Sequence, residues 1–251
     1  MGDFRGHFVP GSFFLLFSIA YMSVILHRTV RGSLRHHIPE KNERVLRAGA
    51  YFVIIATFIG FCMEMIGGIL YSTGPFHQIL HECLYLSYFI VAITALLESH
   101  SRLPLDTWRT ALAVALLLEG ILFNAHANMQ EGYEKIEHQL MSLCSISNGL
   151  VALYSVRNPK DIFAYVTTFG LMAVQGLWFY VIAFTYKGLV LTMHTVTPAF
   201  AIVCMGVWAV ATVASAWGRD KDTESSLERQ EYKKVRSDVE ISSRGGEDGI
   251  I

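Results

Sequence analysis

The sequence predicts an all-α membrane protein, a bundle of seven transmembrane helices. Three observations predict it: 53% of the 251 residues are hydrophobic, only 16% are charged, and long apolar runs recur along most of the chain. A soluble protein of this length would need more polar surface to cover such helices. The net charge of −1 provides no basic field, so we expect a lipid bilayer and no nucleic acid as the partner.

Seven apolar runs predict the spans, because a helix needs about 20 residues to cross about 30 Å of hydrocarbon. The fifth run is the least apolar, since Ser145, Ser147 and Asn148 interrupt it. We expect residues 1–217 to form the transmembrane domain. The charged, serine-rich segment 218–251 is predicted to be a disordered tail. In chain order, the runs are 9–27, 49–72, 80–98, 108–126, 138–156, 162–185 and 196–217.

Lysine and arginine predict the orientation, because they are enriched in cytoplasmic connections. With the connections alternating between the two membrane faces, 17 of the 20 basic residues fall on one face and 3 on the other. The basic face includes the tail and the connection between the first two runs. The sequence therefore predicts an N-terminus in the lumen or outside the cell and a C-terminus in the cytosol.

Glu64 and Glu119 lie well inside the predicted spans, away from their ends, and histidines gather at the non-cytosolic ends. Charged groups inside a bilayer are costly and usually face the protein interior, so we expect Glu64 and Glu119 to point inward. Glu119 and His126 are seven residues apart, two helical turns, and share one face. Further histidines at the same predicted membrane face are His7, His77, His81, His138 and His194.

These residues predict a binding site at the lumenal face. Gln175 and Trp178 lie three residues apart in the sixth run and share a helix face, and we assign them to the same site. The candidate ligand-binding residues are Glu64, Glu119, Gln175 and Trp178. The candidate metal ligands are His81, His126, His138 and His194. The sequence does not assign a catalytic residue.

Four interpretations of this site stay open. The carboxylates and histidines can be structural, as interfacial and interhelical residues often are. Histidine and carboxylate ligands suit zinc. A proton-linked site is the third interpretation, because histidine changes its charge near the pH of acidic organelles. Haem is the weaker cofactor prediction: it needs histidines that face each other across helices, and the candidates all lie near a membrane boundary.

Three stretches of sequence carry a resemblance to a known family. They are MGDFRGHFVPGSFFLLF at the start, EGILFNAHANMQEGYEKIEH in the middle and VQGLWFYVIAF late in the chain. Together they resemble the transmembrane protein 45 family, of the domain of unknown function 716 class, over nearly all of residues 1–217. The middle stretch is the most specific, with a Glu, a His seven residues on and a His twelve beyond that, here Glu119, His126 and His138.

The resemblance extends to other candidate residues. His81 matches a histidine in the third span of the family, and Gln175 and Trp178 match its late Gln-Gly-x-Trp. Asn128 and Ile136 depart from it, because a family member has histidine at both positions. The resemblance implies a multipass protein of Golgi, endosomal, lysosomal or surface membranes, with no agreed biochemical activity.

We therefore expect a non-enzymatic endomembrane protein whose lumenal His/Glu pocket binds a metal ion, a proton or a small polar or lipid ligand. One alternative is a metal-dependent intramembrane lipid hydrolase, which needs three protein ligands and an open position for water. The other is a trafficking adaptor that acts through its tail. There, Tyr232 and Val235 of YKKV have the Tyr-x-x-bulky form that clathrin adaptors bind. The sequence does not predict an oligomeric state.

Overall fold

Six long helices form the fold. The computed structural model describes residues 4–30, 43–71, 75–159, 161–188, 192, 194–210 and 212–213. Each long helix is apolar enough to cross a membrane by length and composition. The predicted all-α, polytopic architecture is therefore confirmed at this level. The helices are α1 (Phe4–Val30), α2 (Glu43–Tyr71), α3 (Pro75–Ser99), α4 (Thr107–Ala127), α5 (Gly132–Arg157) and α6 (Ile162–Thr185).

The seventh predicted span is only partly described. A shorter apolar helix, α7 (Val196–Val210), occupies the first part of the predicted run 196–217. At 1.5 Å per residue, α7 is about 22 Å long, less than the thickness of the hydrocarbon layer. The described residues thus contain six helices long and apolar enough to span a membrane, and the seven-span count and the orientation of the termini stay predictions. The tail, with Tyr232 and Val235, lies outside the described residues.

Four helices begin five or six residues before their apolar runs. These are α1, α2, α3 and α5. An apolar run marks the part of a helix that lies in hydrocarbon, whereas the backbone hydrogen bonds continue into the polar interface. In α5 the added turn contains Glu134, an acidic residue that suits the positive end of the helix dipole. These four helices are therefore longer at their N-terminal ends than the apolar runs predicted.

The helices pack in the order α2, α3, α4, α5, α6 and α1. The most extensive interfaces join α4 to α5, α1 to α6 and α2 to α3, while α1 and α2 touch at few positions. Large apolar side chains such as Phe58, Ile121 and Phe163 are more than half exposed, as expected of a surface that meets acyl chains. The fully buried residues include Leu116 and Trp178.

Glycine allows close crossings of α4 with α5 and of α6 with α1. A Cβ on Gly120 of α4 would lie 2.4 Å from the Ile146 side chain of α5, and a Cβ on Gly176 of α6 would lie 3.0 Å from the Gly11 carbonyl of α1. Interhelical interfaces in membranes favour small residues, because lipid supplies no hydrophobic force between helices. These contacts fix the rotation of α4 and α6 and thus the side chains that they turn inward.

Candidate functional site

The buried face of α5 is polar along most of its length. His138, Ser142, Ser145, Asn148 and Ser155 are all buried. His138 and Ser155 are seventeen residues apart, about 25 Å of helix, which approaches the thickness of the hydrocarbon layer. The low hydropathy of this run therefore reflects a polar face that the neighbouring helices cover.

Three histidine rings from three helices are in contact at one end of the bundle. The ring centroids of His81 and His126 are 5.4 Å apart, and those of His126 and His138 are 4.7 Å apart. We call these three residues the histidine row. His7 of α1 continues it, with its ring centroid 5.8 Å from that of His138. Three of the four candidate metal ligands thus lie together.

Polar neighbours orient the rings of the row. The Nδ1 atom of His138 is 2.7 Å from the Glu134 carbonyl oxygen. A carbonyl oxygen can only accept, so Nδ1 carries the hydrogen and Nε2 keeps its lone pair. The Nδ1 atom of His81 is 2.8 Å from Oε1 of Glu64, and both side chains are only partly exposed. The predicted inward orientation of Glu64 therefore places it beside the row.

The other two candidate residues near this end have different surroundings. His194, just before α7, is exposed, and no ring contact in the described part of the chain joins it to the row. Trp178 is fully buried, and its indole N–H donates to the Glu137 carbonyl oxygen over 3.1 Å. That N–H is the only polar group of tryptophan, so Trp178 links α6 to α5.

The described side chains of the row do not form a metal-binding group. Among the described residues, no group of three or more histidine, cysteine, aspartate or glutamate side chains could hold a metal ion. His77 lies one turn before His81 on α3, but its side chain is outside the described set. The zinc, haem and metallohydrolase predictions therefore gain no support from the geometry and stay predictions.

Glu119 lies in the middle of the bundle and is completely buried. Its Oε2 accepts a hydrogen bond of 2.6 Å from the Tyr88 hydroxyl of α3, and the Ser145 hydroxyl of α5 lies beside the same carboxylate. The seven residues between Glu119 and His126 place the carboxylate about 10 Å below the histidine row. The sequence predicted an inward Glu119 but not its partner Tyr88.

Gln175 of α6 extends this polar contact across the bundle. Its Nε2 donates to Ser145 Oγ, and both residues are completely buried. One turn along α5 from Ser145, Asn148 is also completely buried. Within the described residues, neither polar atom of the Asn148 amide has a hydrogen-bond partner, and neither does Oε1 of Gln175. Side chains of four helices, α3 to α6, thus form a polar core.

The opposite end of the bundle contains a buried arginine. Arg109 of α4 donates to Asp106 over 2.7 Å and to Ser155 over 3.0 Å, and its guanidinium lies 4.1 Å from the centre of the Tyr165 ring. From the sequence, Arg109 was only one of the basic residues that predict the orientation of the chain in the membrane. Its position one residue inside an apolar run was the signal that it could be paired within the bundle.

An apolar crevice lies beside the polar core and shares Tyr88 with it. It lies between α1, α2 and α3, where α1 and α2 diverge, and has a volume of about 80 Å³. Phe14, Phe52 and Leu84 belong to its lining, together with Tyr88. Because the Tyr88 hydroxyl is bonded to Glu119, the ring of this tyrosine separates the crevice from the buried carboxylate.

One comparison bears on the family. Residues 105–192, from just before α4 to beyond α6, match the model of a family described as a family of unknown function (DUF716). The match supports a member of this family. The matched DUF716 segment contains Glu119, His126, His138 and Gln175, whereas the helices that supply His81 and its neighbours precede it. The family description names no activity, so function must be inferred from the site itself.

Proposed function

We propose that this DUF716 member is a non-enzymatic multipass protein of acidic endomembranes that responds to protons through the histidine row. The Glu119, His126 and His138 spacing supports a place in the transmembrane protein 45 group. The distribution of basic residues supports a lumenal N-terminus, and α7 supports a seventh span that continues beyond Val210. In this orientation the row lies at the lumenal face, where the pH of an endosome or lysosome changes.

The observation that carries this proposal is the contact between imidazoles of α3, α4 and α5. One positive charge is readily held, because Glu64 lies 2.8 Å from His81. A second positive charge about 5 Å from the first costs about 3 kcal/mol at an effective dielectric constant near 20. Acidification therefore introduces repulsion between three helices at one end of the bundle.

Other charged and titratable groups lie at the same end of the bundle as the row. Among them, the Glu64 carboxylate lies within ion-pair distance of His81. The Glu137 carboxylate is buried on α5 and has no hydrogen-bond partner among those residues. The groups at this end include Arg5 and His7 of α1, Glu64 of α2, Glu82 of α3, Glu131 before α5, Tyr133, Glu134, Lys135 and Glu137 of α5, Tyr186 and Lys187 after α6, and His194 before α7.

Spin labels on α3 and before α5 test this proposal. Ile79 and Glu131 are exposed positions at the histidine end, one on each side of the row. In nanodiscs, we expect the distance between labels at these two positions to increase between neutral and acidic pH. The increase should be absent when His126→Gln and His138→Gln are combined.

His100→Gln is the matched control, because His100 is an exposed histidine at the opposite end of α3. This variant should keep the complete pH response. A label distance that is the same at both pH values would refute the proposal. If instead zinc copurifies with the protein, and is lost in His126→Ala, the metal interpretation of the row is favoured.

A further inference from the structure

We propose that the polar core binds one sodium ion between α4, α5 and α6. The ligands are oxygen atoms of Glu119, Ser145, Asn148 and Gln175. This site is separate from the histidine row and does not depend on the proposed response to protons. The four residues are completely buried, so the ion would lie inside the bundle, away from lipid.

The four residues are linked by contacts and by helical spacing. Gln175 donates to Ser145, whose hydroxyl lies beside the Glu119 carboxylate. Asn148 follows Ser145 by three residues, so both project from the same face of α5. Tyr88 completes the surroundings by donating to Oε2 of Glu119, which leaves Oε1 for another partner.

Glu119 needs a positive partner or a proton, because a lone charge is costly inside a bilayer. No lysine, arginine or histidine is within ion-pair distance of it in the described ranges. On its own helix, the guanidinium of Arg109 is ten residues away and bonded to Asp106 and Ser155. Since no described residue supplies this positive charge, a bound cation can supply it.

The unpaired atoms around Glu119 favour a cation over a proton. Three buried oxygens, one each on Glu119, Asn148 and Gln175, have no hydrogen-bond donor among the described residues. Only one buried N–H donor group of these side chains, the Asn148 amide, lacks an acceptor there. If the Ser145 hydroxyl donates to Glu119, two amide oxygens still lack donors. A proton on Glu119 can satisfy only one of them, whereas a cation can bind all of these oxygens at once.

The ligand chemistry identifies the class of cation. All the available ligand atoms are oxygens, which hard cations prefer over sulfur and nitrogen ligands. The site contains one carboxylate, so a monovalent ion makes it neutral, whereas Ca²⁺ or Mg²⁺ would leave a buried positive charge. Sodium is the abundant monovalent ion of extracellular fluid, which the lumen of endocytic compartments receives, and is the probe to use.

Thermal stability in sodium chloride and in choline chloride, at equal ionic strength, tests the proposal. We expect sodium to raise the melting temperature of the purified full-length protein, because a ligand that binds the folded state stabilises it. Glu119→Gln and Asn148→Leu should each abolish this increase. Glu98→Gln is the matched control and should keep the sodium response. Glu98 is also a buried carboxylate, but it accepts hydrogen bonds from the backbone N–H groups of Asp106 and Trp108.

Binding of ²²Na⁺ to the unsubstituted protein provides a second measurement, which does not require that a variant folds. The expected result is saturable binding of one ion per chain. Equal stability in both salts together with no saturable ²²Na⁺ binding would overturn the proposal and assign a proton to Glu119. The sodium response should persist when His126→Gln and His138→Gln are combined, so a failure of the proton proposal is distinguishable from a failure of this one.

Discussion

Replacing Tyr88 with phenylalanine removes one oxygen from the polar core and little else. The Tyr88 ring packs edge-on against Phe14 with 5.5 Å between ring centroids, and phenylalanine keeps that contact. What is lost is the hydroxyl that donates to Glu119 over 2.6 Å. Tyr88→Phe therefore measures a single hydrogen bond to a buried carboxyl group.

Two general magnitudes bound the effect of Tyr88→Phe on the free energy of unfolding. A hydrogen bond to a charged group contributes about 1.5–3 kcal/mol in proteins generally. Interhelical hydrogen bonds inside membranes contribute less, about 0.6 kcal/mol on average and about 1.7 kcal/mol at most, because the unfolded helices find other partners. Since Glu119 is completely buried and the bond is short, we expect Tyr88→Phe to lower the free energy of unfolding by about 1–2 kcal/mol.

Reversible unfolding in mixed detergent micelles measures this free energy. Tyr88→Phe, Glu119→Gln and the double variant form a cycle that isolates the pair. Tyr180→Phe is the matched control, because the Tyr180 hydroxyl bonds to the neutral hydroxyl of Ser12 over 2.9 Å and should have the smaller effect. Tyr51 is half exposed, so Tyr51→Phe should change almost nothing. The assigned pair is wrong if the effects of Tyr88→Phe and Glu119→Gln simply add.

Three other substitutions, one of them with a matched control, test the packing that supports the site. In the same assay, Gly176→Leu should destabilise the protein by about 2 kcal/mol or more, because its side chain would collide with α1, whereas Gly170→Ala meets only an ordinary contact and should be neutral. Glu98→Ala should lose about 1–2 kcal/mol, because it removes the acceptor of the Trp108 N–H at the start of α4. Arg109→Met should lose about 1–2 kcal/mol, because it removes a buried guanidinium whose partner carboxylate, on Asp106, is partly exposed and screened by solvent. A loss no larger than that of Lys187→Met, at an exposed position, would contradict this assignment.

Apolar run length was enough to predict the helices, because no other backbone arrangement of such segments satisfies its hydrogen bonds in lipid. Run length did not predict their ends, since helices continue into the interface where Glu134 and Tyr133 are tolerated. The match to residues 105–192 supports the coarse family assignment. It does not test the finer resemblance.

The partners within the site were beyond sequence reasoning. Spacing on one helix predicted that Glu119 and His126 share a face, but contacts between helices depend on rotation about each axis. That rotation is set by close crossings such as Gly120 against Ile146, which no periodicity reveals. Tyr88 therefore went unnoticed as the partner of Glu119.

Nitrogen NMR of the imidazole groups in the ¹⁵N-histidine-labelled protein tests the central claim most directly. If the histidine row is one unit, His126→Gln removes the ring that lies between His81 and His138. The imidazole nitrogen signals of both His81 and His138 should then shift, while those of His100, at the other end of α3, should stay the same. Unchanged signals of His81 and His138 in this variant would show that the three rings are not in contact, and would contradict the central claim.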